Sequence, residues 1–532
     1  MSPIANGIPI FAKDKDRFKI DEFLDNLKGD VLLKYQALKN DPAFCRISQN
    51  LSHSDRWAQS WLAENPHIID VPADKGLGTV LTLRSNYESL VSVQLEKSFH
   101  QVDADEAQVI QSTAVKSLNS CLKFGIEHQA ICEQQAGYLS CLTERARIPR
   151  IRALIKVHKV AIAARLIVAN TMWVTTPAAI FISLFIQQCM AVFEHVANST
   201  ADVLDALKTV KITEDMNMHT FDVDNMYPSL DQATLIIAVR LSLTAHFTAH
   251  PSPKWGAKVE FIVMLVTMVL KAQVTTWSKR DSSKTFWQQH IGVSIGLACG
   301  SQLANCYLRA LDIHITSTFR ASIIMYKRYI DDVLIISTRN ILQRLIVAFN
   351  EYDDHISISH DAANEDERCT LVSFLDLEIA IVDSQLTYRT FRKPMATYNY
   401  LPYESCHSQQ CKDAIVFTEI LRIIRTCSTN RAAEEEISFT LQKFRDRGYN
   451  VVRIRDIADR ARNGSLKLKT ASKQKIVPLK FHFSCIAHKL GLADIIRNNL
   501  PSLPSTYRDT HRLVTCYLSG RSLFRERYKR FF

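Results

Sequence analysis

The sequence predicts a protein of the α+β class, because hairpin patterns and long helix-type patterns both recur along its 532 residues. Residues 322–338 hold two apolar β-type runs joined at a polar centre, which is typical of a hairpin. Residues 219–230 predict a strand that runs into a turn, and residues 295–315 predict a buried helix with small residues at its start. A chain of this length exceeds what one hydrophobic core organises, so several subdomains are expected.

The other elements follow from apolar spacing and turn residues. Helical spacing predicts helices within 16–66 and again within 88–140. A basic, glycine-punctuated turn leads into a β-type run at 74–83, and residues 149–170 predict a basic hairpin. Further elements are predicted at 177–196 (an apolar helix), 231–246 (a helix), 372–382 and 385–391 (a strand pair), and beyond them as two amphipathic helices.

The composition favours a folded protein with a polyanionic partner. Hydrophobic residues make up 47% and charged residues 22% of the chain, which fits neither a disordered chain nor a membrane protein. The formal net charge is +11, from 65 Lys and Arg against 54 Asp and Glu. A basic surface attracts phosphate backbones, so nucleic acid is the expected partner. A merely basic soluble protein would have the same charge.

No secretory signal and no membrane-spanning segment are predicted. The first twenty residues lack a sustained apolar run. The longest apolar run, residues 261–270, falls short of the roughly 20 residues that cross a bilayer, and it predicts a buried helix.

The thirteen cysteines show no disulfide framework, which indicates free thiols in a reducing compartment. Those in apolar stretches are expected to pack as small hydrophobes. Examples are Cys189, Cys299 and Cys306. Cys406, His407 and Cys411 lie close enough in sequence to suggest zinc, but no second ligand pair follows at a suitable spacing. A structural role is therefore favoured for these three residues.

Three aspartates are the candidate catalytic residues. Asp222 ends an apolar run in TFDV, and Asp331 and Asp332 lie at the turn of the predicted hairpin in YIDD. Phosphoryl transfer to a growing strand uses two divalent cations about 4 Å apart, and Mg²⁺ prefers a few carboxylates plus phosphate oxygens. An Asp pair in a turn is by itself usually turn chemistry. The order of strand-borne Asp, glycine-led helix and acidic hairpin is what favours a catalytic centre.

These segments resemble motifs A, B and C of reverse transcriptases, most closely those of Penelope-like retroelements. Motif A is FDVDNMYPSL, motif B is WQQHIGVSIGLACGSQLAN and motif C is YIDD. The motif B residues on the family spacing are Gln289, Gly292, Gly296, Ala304 and Asn305. Further similar segments follow in the family's order: PADKGLGTVLT, LIKVHK with RLIV, FLDLEI, YRTFRKP, YLPYESCHS, RDRGY and HRLVTCYLSGRSLFRERY. The resemblance extends from about residue 70 to the end of the sequence.

The sequence departs from the family pattern at three places. Ile155 and Leu166 stand where the finger motifs commonly have Pro, and Gly300-Ser301 stands where motif B has Ser-Pro. No GIY-YIG-type endonuclease segment follows the polymerase-like region, so DNA nicking is not implied. Family members without that domain resemble telomerase in using pre-existing DNA ends.

The resemblance implies a right-hand polymerase with an antiparallel palm sheet backed by helices, mixed fingers and a helical thumb. The implied domains are an N-terminal helical extension (1–66), fingers (67–217), palm (218–395), thumb (396–465) and a basic C-terminal extension (466–532). The implied activity is that of an RNA-directed DNA polymerase of a retroelement. It would use two Mg²⁺ ions, or Mn²⁺, and take an RNA template, a DNA primer and dNTPs, in the nucleus or in the cytoplasm before import.

The resemblance also implies roles for single residues. Asp222 and Asp331 would bind both cations, Asp332 would be the more peripheral acid, and the Val223 carbonyl would complete a metal shell. The motif context consists of Phe221, Tyr329, Ile330 and Asn305.

Other positions would meet the nucleotide. Tyr227 would lie under the incoming sugar and sense a 2′-hydroxyl, although a Tyr after a strand is often only a core wedge. Gly292 and Gly296 would let the backbone approach the nascent base pair, or simply serve helix-start geometry. Gln289 would touch template or nucleotide. The candidates for gripping the triphosphate are Lys75, Lys156 and Arg165, with solvated surface as the alternative.

Three alternatives remain at this point. An RNA-dependent RNA polymerase shares the palm carboxylates, and primer extension with dNTPs or NTPs distinguishes it. A domesticated or decayed, non-catalytic nucleic-acid-binding protein would keep the charge but would tolerate loss of the acids. A metal-dependent nuclease also uses paired Asp, but it leaves the finger and thumb motifs unexplained.

Overall fold

The structure is a computed structural model with two compact units. One unit comprises residues 62–397 and 426–433, and the other comprises 1–61, 398–425 and 434–532. The structure describes residues 14–38, 53–157, 162–189, 192–213, 215–278, 284–338, 341–360, 369–383, 385–394, 396–405, 407, 409–464, 475–482, 491–499, 501 and 511–518. The break at 397 lies close to the predicted palm–thumb boundary, and the finer division into five domains stays a prediction.

Helices and strands alternate irregularly along the described residues, which confirms the predicted α+β class. The helices are α1 (Asp14–Leu38), α2 (His53–Glu64), α3 (Arg84–Ser98), α4 (Ala104–Glu127), α5 (Glu133–Leu139), α6 (Thr176–Gln188), α7 (Thr200–Leu207), α8 (Met226–Ser229), α9 (Gln232–Ala249), α10 (Trp255–Lys271), α11 (Gly300–Thr318), α12 (Leu342–Asn350), α13 (Gln409–Thr426), α14 (Asn430–Asp446), α15 (Val451–Gly464) and α16 (Leu492–Asn499). The strands are β1 (Ile68–Pro72), β2 (Thr79–Leu83), β3 (Phe99–Val102), β4 (Ile151–Lys156), β5 (Ala163–Val168), β6 (Asn217–Val223), β7 (Val274–Ser278), β8 (Lys284–Gln289), β9 (Ile323–Tyr329), β10 (Asp332–Ser337), β11 (Ile358–His360), β12 (Leu371–Phe374), β13 (Leu377–Val382), β14 (Gln385–Thr390), β15 (Lys475–His482) and β16 (His511–Leu518).

The central sheet of the larger unit is antiparallel, with strand order β11–β6–β10–β9. Successive residues of β10 face opposite cores. Val333 and Ile335 pack into a main core with α6, α9, α10 and α11, whereas Leu334 and Ile336 pack into a second core with α7, β12 and β13. Burial on both faces explains why this strand has a continuous apolar run. The predicted antiparallel sheet and its hairpin are confirmed.

The main core buries the longest apolar run of the sequence. Residues 261–270 form most of α10, and Ile262, Leu265 and Val266 are fully buried. In the described part of the chain, no helix has the length and apolarity needed to cross a bilayer. The cysteines singled out by sequence lie in the same core as buried free thiols, and burial raises the pKa of Cys299 to about 12.

The larger unit also contains smaller antiparallel sheets. The hairpin predicted within 149–170 is confirmed, since β4 pairs with β5 from Ile151 opposite Val168 to Lys156 opposite Ala163. The helices predicted within 88–140 are present as α3, α4 and α5, but β3, which was not predicted, separates α3 from α4 and pairs with β8. Pairing with a strand far along the chain has overridden the local helical spacing.

Two predicted helix boundaries are wrong. The buried helix predicted from residue 295 begins only at Gly300, because Gly296 adopts a left-handed φ of 110° that a helix cannot contain. The helix predicted over 177–196 ends at Gln188.

The second unit contains the helices predicted after the strand pair. In it, the Tyr400 ring stacks on the fully buried Phe444 at 4.2 Å between centroids. A two-bond ion pair joins α13 to α15, from the Arg453 guanidinium to the Asp413 carboxylate at 2.9 and 2.6 Å. The same unit holds the parallel pair β15–β16.

Candidate active site

Two neighbouring strands bring the three aspartates together. Asp332 opens β10 and lies directly opposite Asp222 at the end of β6. Asp331 lies in the turn that joins β9 to β10. One carboxylate oxygen of each residue lies within 4.8 Å of those of the other two. Residues far apart in the sequence therefore present three carboxylates at one point, as predicted from the motif order.

The hairpin turn has an unusual backbone. Tyr329 pairs with Asp332, so Ile330 and Asp331 are the two central residues of the turn. Ile330 has a left-handed φ of 57°, a conformation that a β-branched residue rarely adopts. Two hydrogen bonds hold the turn: the Val223 N–H donates to the Asp331 carbonyl at 3.0 Å, and Arg328 Nη1 donates to the Ile330 carbonyl at 2.9 Å.

The donor set of the triad fits a hard divalent cation. All three side chains offer carboxylate oxygens, the ligands of Mg²⁺ and Mn²⁺ rather than of softer metals. Asp331 and Asp332 are only half-buried, so water and phosphate oxygens have room to complete an octahedral shell. Among the described residues, these three aspartates are the group of three or more His, Cys, Asp or Glu side chains that lie close enough together to hold a metal ion.

The residues considered for zinc form no such group within the described part of the chain, in keeping with the favoured structural role. His407 Nδ1 lies 3.3 Å from the Ser405 hydroxyl, and the Cys411 side chain is exposed. Cys406 lies outside the described residues.

The motif context residues Phe221, Ile330 and Tyr329 pack on the two cores of the larger unit. Phe221 is buried against Phe349, with ring centroids 4.9 Å apart, and Ile330 packs on the main core. Tyr329 packs on the second core. Val223 is buried, and its N–H donates to the Asp331 carbonyl in the turn. The role of the Val223 carbonyl as a metal ligand stays a prediction.

Tyr227 lies in α8, on the turn that follows Asp222. Its side chain is half-buried, and the ring packs against the main core. Burial raises the pKa of Tyr227, and a hydrogen bond with the Ser301 side chain opposes that effect. The ring also lies at the start of α11, where a Cβ on Gly300 would be 3.4 Å from Tyr227 Cε1. Sequence reasoning missed this role of Ser301, which is one of the residues that depart from the family pattern.

The two motif B glycines contact protein backbone closely. A Cβ on Gly292 would lie 2.6 Å from Pro228 Cα and closer still to the Tyr227 carbonyl oxygen. A Cβ on Gly296 would collide with the Val168 carbonyl oxygen of β5. Both residues also have left-handed φ, 74° and 110°. These glycines therefore let the loop before α11 pack closely on α8 and on the β4–β5 hairpin, and their predicted approach to a base pair stays a prediction.

Gln289 is not available for the contact with template or nucleotide that the sequence predicts. It is 4% exposed, and both ends of its amide are engaged inside the protein. Its Nε2 donates to the Ile291 carbonyl at 2.8 Å, and its Oε1 accepts from the Ser294 hydroxyl at 2.5 Å. Gln289 therefore shapes the loop that carries the glycines. Its position at the end of a strand with alternating burial could have indicated an inward side chain.

Two of the residues predicted to grip the triphosphate lie on the β4–β5 hairpin, and the third, Lys75, lies on the turn between β1 and β2. Arg165 and Lys156 lie on the same face of β4–β5, because each is diagonal to the other in the register. Arg165 Nη1 lies 3.2 Å from Oδ1 of Asp74, whose side chain is buried. Lys75, the next residue, is exposed and has a left-handed φ of 56°. Asp74 was not predicted as a site residue, although it lies in the DKG segment.

A buried histidine lies next to motif A in β6. His219 is 2% exposed, its Nε2 lies 3.3 Å from the Ser337 hydroxyl, and its Nδ1 has no hydrogen-bond partner among the described residues. Burial, aided by the nearby His360, lowers the pKa of His219 to about 4.

We expect this histidine to make the larger unit sensitive to acid. Between about pH 6.5 and 4 the unfolded chain binds a proton that the folded chain does not, so the free energy of unfolding falls as the pH falls. The full effect is about 3 kcal/mol. Urea unfolding at pH 7.5 and 5.0 should show a smaller loss of stability for His219→Gln than for the wild type. The exposed His128→Gln is the control, and an equal loss in all three proteins would contradict the assignment.

Comparisons with known proteins come from a family model and from solved structures. The model of the animal helix-turn-helix domain matches residues 399–458. No curated protein matches the chain.

Solved structures to which the chain is similar include telomerases and an RNA-dependent RNA polymerase. Telomerase from Candida albicans, in complex with a TWJ fragment of telomeric RNA, is 11% identical with a TM-score of 0.47, over 86% of this chain and 77% of that one. Apo telomerase from Candida tropicalis is 10% identical with a TM-score of 0.42, over 92% and 81%. The BmCPV RNA-dependent RNA polymerase at the quiescent state is 11% identical with a TM-score of 0.37, over 64% and 31%. The functional proposal therefore rests on the geometry of the aspartates and not on these distant likenesses.

Proposed function

We propose that this chain is an RNA-directed DNA polymerase of a Penelope-like retroelement, which extends a DNA primer along an RNA template. The observation that carries the proposal is the meeting of Asp222, Asp331 and Asp332 at the junction of two adjacent antiparallel strands. The order of the motifs in the sequence supports it, since each of the three aspartates stands at a motif position. A non-catalytic descendant would have no need to keep all three carboxylates together.

Each part of the site has a task in nucleotide addition. Two bound Mg²⁺ or Mn²⁺ ions supply activation of the primer 3′-hydroxyl and neutralise charge on the triphosphate. Asp222 and Asp331 would hold both ions, and Asp332 and the Val223 carbonyl would complete the shell. Asp222 and Asp332 lie on strands of a sheet that is packed on both faces, and Asp331 lies in the turn between β9 and β10, so the carboxylates are positioned before substrate binds.

The β4–β5 hairpin supplies positive charge for the triphosphate. The buried Asp74 carboxylate holds Arg165, which leaves the rest of the planar guanidinium to meet phosphate oxygens. Lys156 adds charge on the same hairpin, and Lys75 adds charge on the turn between β1 and β2, next to Asp74. Over the rest of the surface, the net charge of +11 attracts the phosphates of the template–primer duplex.

Helices α13 to α15 are proposed as the thumb, in contact with the template–primer duplex. The helix-turn-helix match at 399–458 covers almost the same residues as the thumb predicted at 396–465, and helix-turn-helix modules bind nucleic acid. The proposed site of action is the nucleus, reached through the cytoplasm.

Tyr227 is proposed as the residue that excludes ribonucleotides. We expect Tyr227→Ala to lower the ratio of kcat/KM for dNTP over rNTP by about tenfold or more, since a smaller side chain leaves room for the 2′-hydroxyl. Tyr227→Phe keeps the ring and loses only the bond to Ser301, so it should keep the wild-type ratio. An unchanged ratio in an active Tyr227→Ala enzyme would reduce Tyr227 to a packing residue.

Primer extension on poly(rA)/oligo(dT) with Mg²⁺ tests the proposed function. Efficient incorporation from dTTP, and little from UTP, is the expected result. Preference for UTP would assign the chain to RNA-dependent RNA polymerases. Binding of the primer–template without extension from either nucleotide would assign it to non-catalytic nucleic-acid-binding proteins.

A further inference from the structure

A buried arginine lies two residues before the acidic turn. Arg328 is 1% exposed, in β9. Its Nε and Nη2 donate to the two carboxylate oxygens of Asp312 at 2.9 and 2.7 Å. Its Nη1 donates to Asn305 Oδ1 and to the Ile330 carbonyl, both at 2.9 Å. The guanidinium thus joins a side-chain anchor on one side to the backbone of the turn on the other.

The anchor belongs to the helix of motif B. Asn305 and Asp312 are seven residues apart on α11, so they lie on the same face of that helix. Asp312 is 2% exposed and also accepts a hydrogen bond from the Tyr326 hydroxyl at 2.8 Å. The arginine therefore connects the motif B helix to the motif C turn through side chains that are almost completely removed from solvent.

Stability alone is a poor reason for this arrangement. Burying two opposite charges removes both from water, and a well-packed apolar pair of similar volume is often as stable or more so. An apolar pair has no donor for the Ile330 carbonyl, however. That carbonyl belongs to the residue with left-handed φ, directly before Asp331. A hydrogen bond to the strained peptide is the contribution that only the charged, forked side chain makes.

We propose that Arg328 is a positioning residue for metal binding, which fixes the turn so that the Asp331 carboxylate faces those of Asp222 and Asp332. Asp312 and Asn305 orient the guanidinium for this task. The inference rests on the proposed function insofar as the cations are catalytic, but it concerns the geometry of the turn itself.

Mn²⁺ binding measured by titration calorimetry, together with melting temperature and primer-extension kinetics, tests the proposal. Arg328→Lys keeps a positive charge near Asp312 but loses the fork that reaches both partners. We expect its Mn²⁺ affinity and kcat to fall at least tenfold, with little change in KM for the primer–template. Arg309→Lys is the matched control, since Arg309 Nε also donates to a backbone carbonyl, that of Val192, at 3.1 Å. The control should bind Mn²⁺ like the wild type.

A second variant separates positioning from stability. The triple variant Arg328→Met/Asp312→Leu/Tyr326→Phe removes the buried pair without leaving a buried charge unpaired. We expect a melting temperature near that of the wild type together with weak Mn²⁺ binding. Recovery of Mn²⁺ affinity along with stability would overturn the proposal. The proposal would also be overturned if folded Arg328→Lys protein bound Mn²⁺ as tightly as Arg309→Lys does.

The outcomes also separate this inference from the proposed function. If the wild type binds Mn²⁺ at the triad but extends no primer, the proposed polymerase activity fails while the positioning role is still measured. If the wild type extends primers and the Arg328 variants match it in Mn²⁺ affinity and kcat, the positioning role alone fails.

Discussion

Replacing Asp331 with Asn is expected to reduce primer extension by about a thousandfold or more, with affinity for the primer–template largely unchanged. The change removes one negative charge from the triad and weakens the hold on both cations, which supply several kcal/mol of transition-state stabilisation. Affinity for the duplex rests mainly on phosphate contacts elsewhere. Single-turnover extension rates and equilibrium binding of labelled primer–template, measured side by side, give the two quantities.

The matched control for this substitution is Asp383→Asn. Asp383 is an exposed residue in the hairpin turn between β13 and β14, and like Ile330 it has a left-handed φ, 48°. If the acidic residues of motif C served only turn formation, both substitutions would have similar small effects. If the Asp331→Asn enzyme extended primers at a rate near that of the wild type, YIDD would not be the catalytic motif C.

Gly292→Ala is expected to have the second largest effect, through the fit between motifs A and B. The added Cβ would lie 2.6 Å from Pro228 Cα and closer to the Tyr227 carbonyl, and Gly292 has a φ of 74°. Overpacking and the left-handed backbone together cost about 2–5 kcal/mol. We expect a fall in melting temperature of about 5 °C or more, and a loss of extension activity because Tyr227 is displaced. Thermal melting and primer extension measure the two effects.

Gly256→Ala is the control for the glycine prediction. Gly256 lies in α10, and a Cβ there meets no atom within 4 Å. Alanine favours the helix by up to about 1 kcal/mol, so this variant should be as stable as the wild type or slightly more stable. A Gly292→Ala protein that melts and extends primers like Gly256→Ala would show that motif B tolerates a side chain at this position.

The central strands and the triad could be predicted from sequence because their signals are local. The apolar runs on both sides of Asp331 and Asp332 are too long and too β-branched for a loop, and the polar centre marks the turn. Asp222 follows a run of the same kind. An antiparallel hairpin beside a third strand brings these ends together by topology alone.

The contacts that position the site could not be predicted, because they depend on the tertiary arrangement of distant segments. The pairing of Arg328 with Asp312 joins a strand to a helix face, and the sequence does not show which of the neighbouring charges, Lys327 or Arg328, pairs with Asp312. Gln289 lies at the end of β8, which pairs with β3. The helical spacing of residues 88–140 concealed β3 and therefore also this pairing. Gly292 and Gly296 were recognised as close-approach positions, but the partners found are the backbones of Pro228 and Val168.

Anomalous diffraction from crystals grown with Mn²⁺, primer–template and a non-hydrolysable dNTP analogue tests the central claim most directly. We predict two anomalous peaks about 4 Å apart, both within bonding distance of the carboxylates of Asp222 and Asp331, with Asp332 at one of them. The nearer nucleotide phosphates should complete the shells of the ions. The account would be contradicted if crystals with bound primer–template and nucleotide, at saturating Mn²⁺, showed no anomalous peak at the three aspartates.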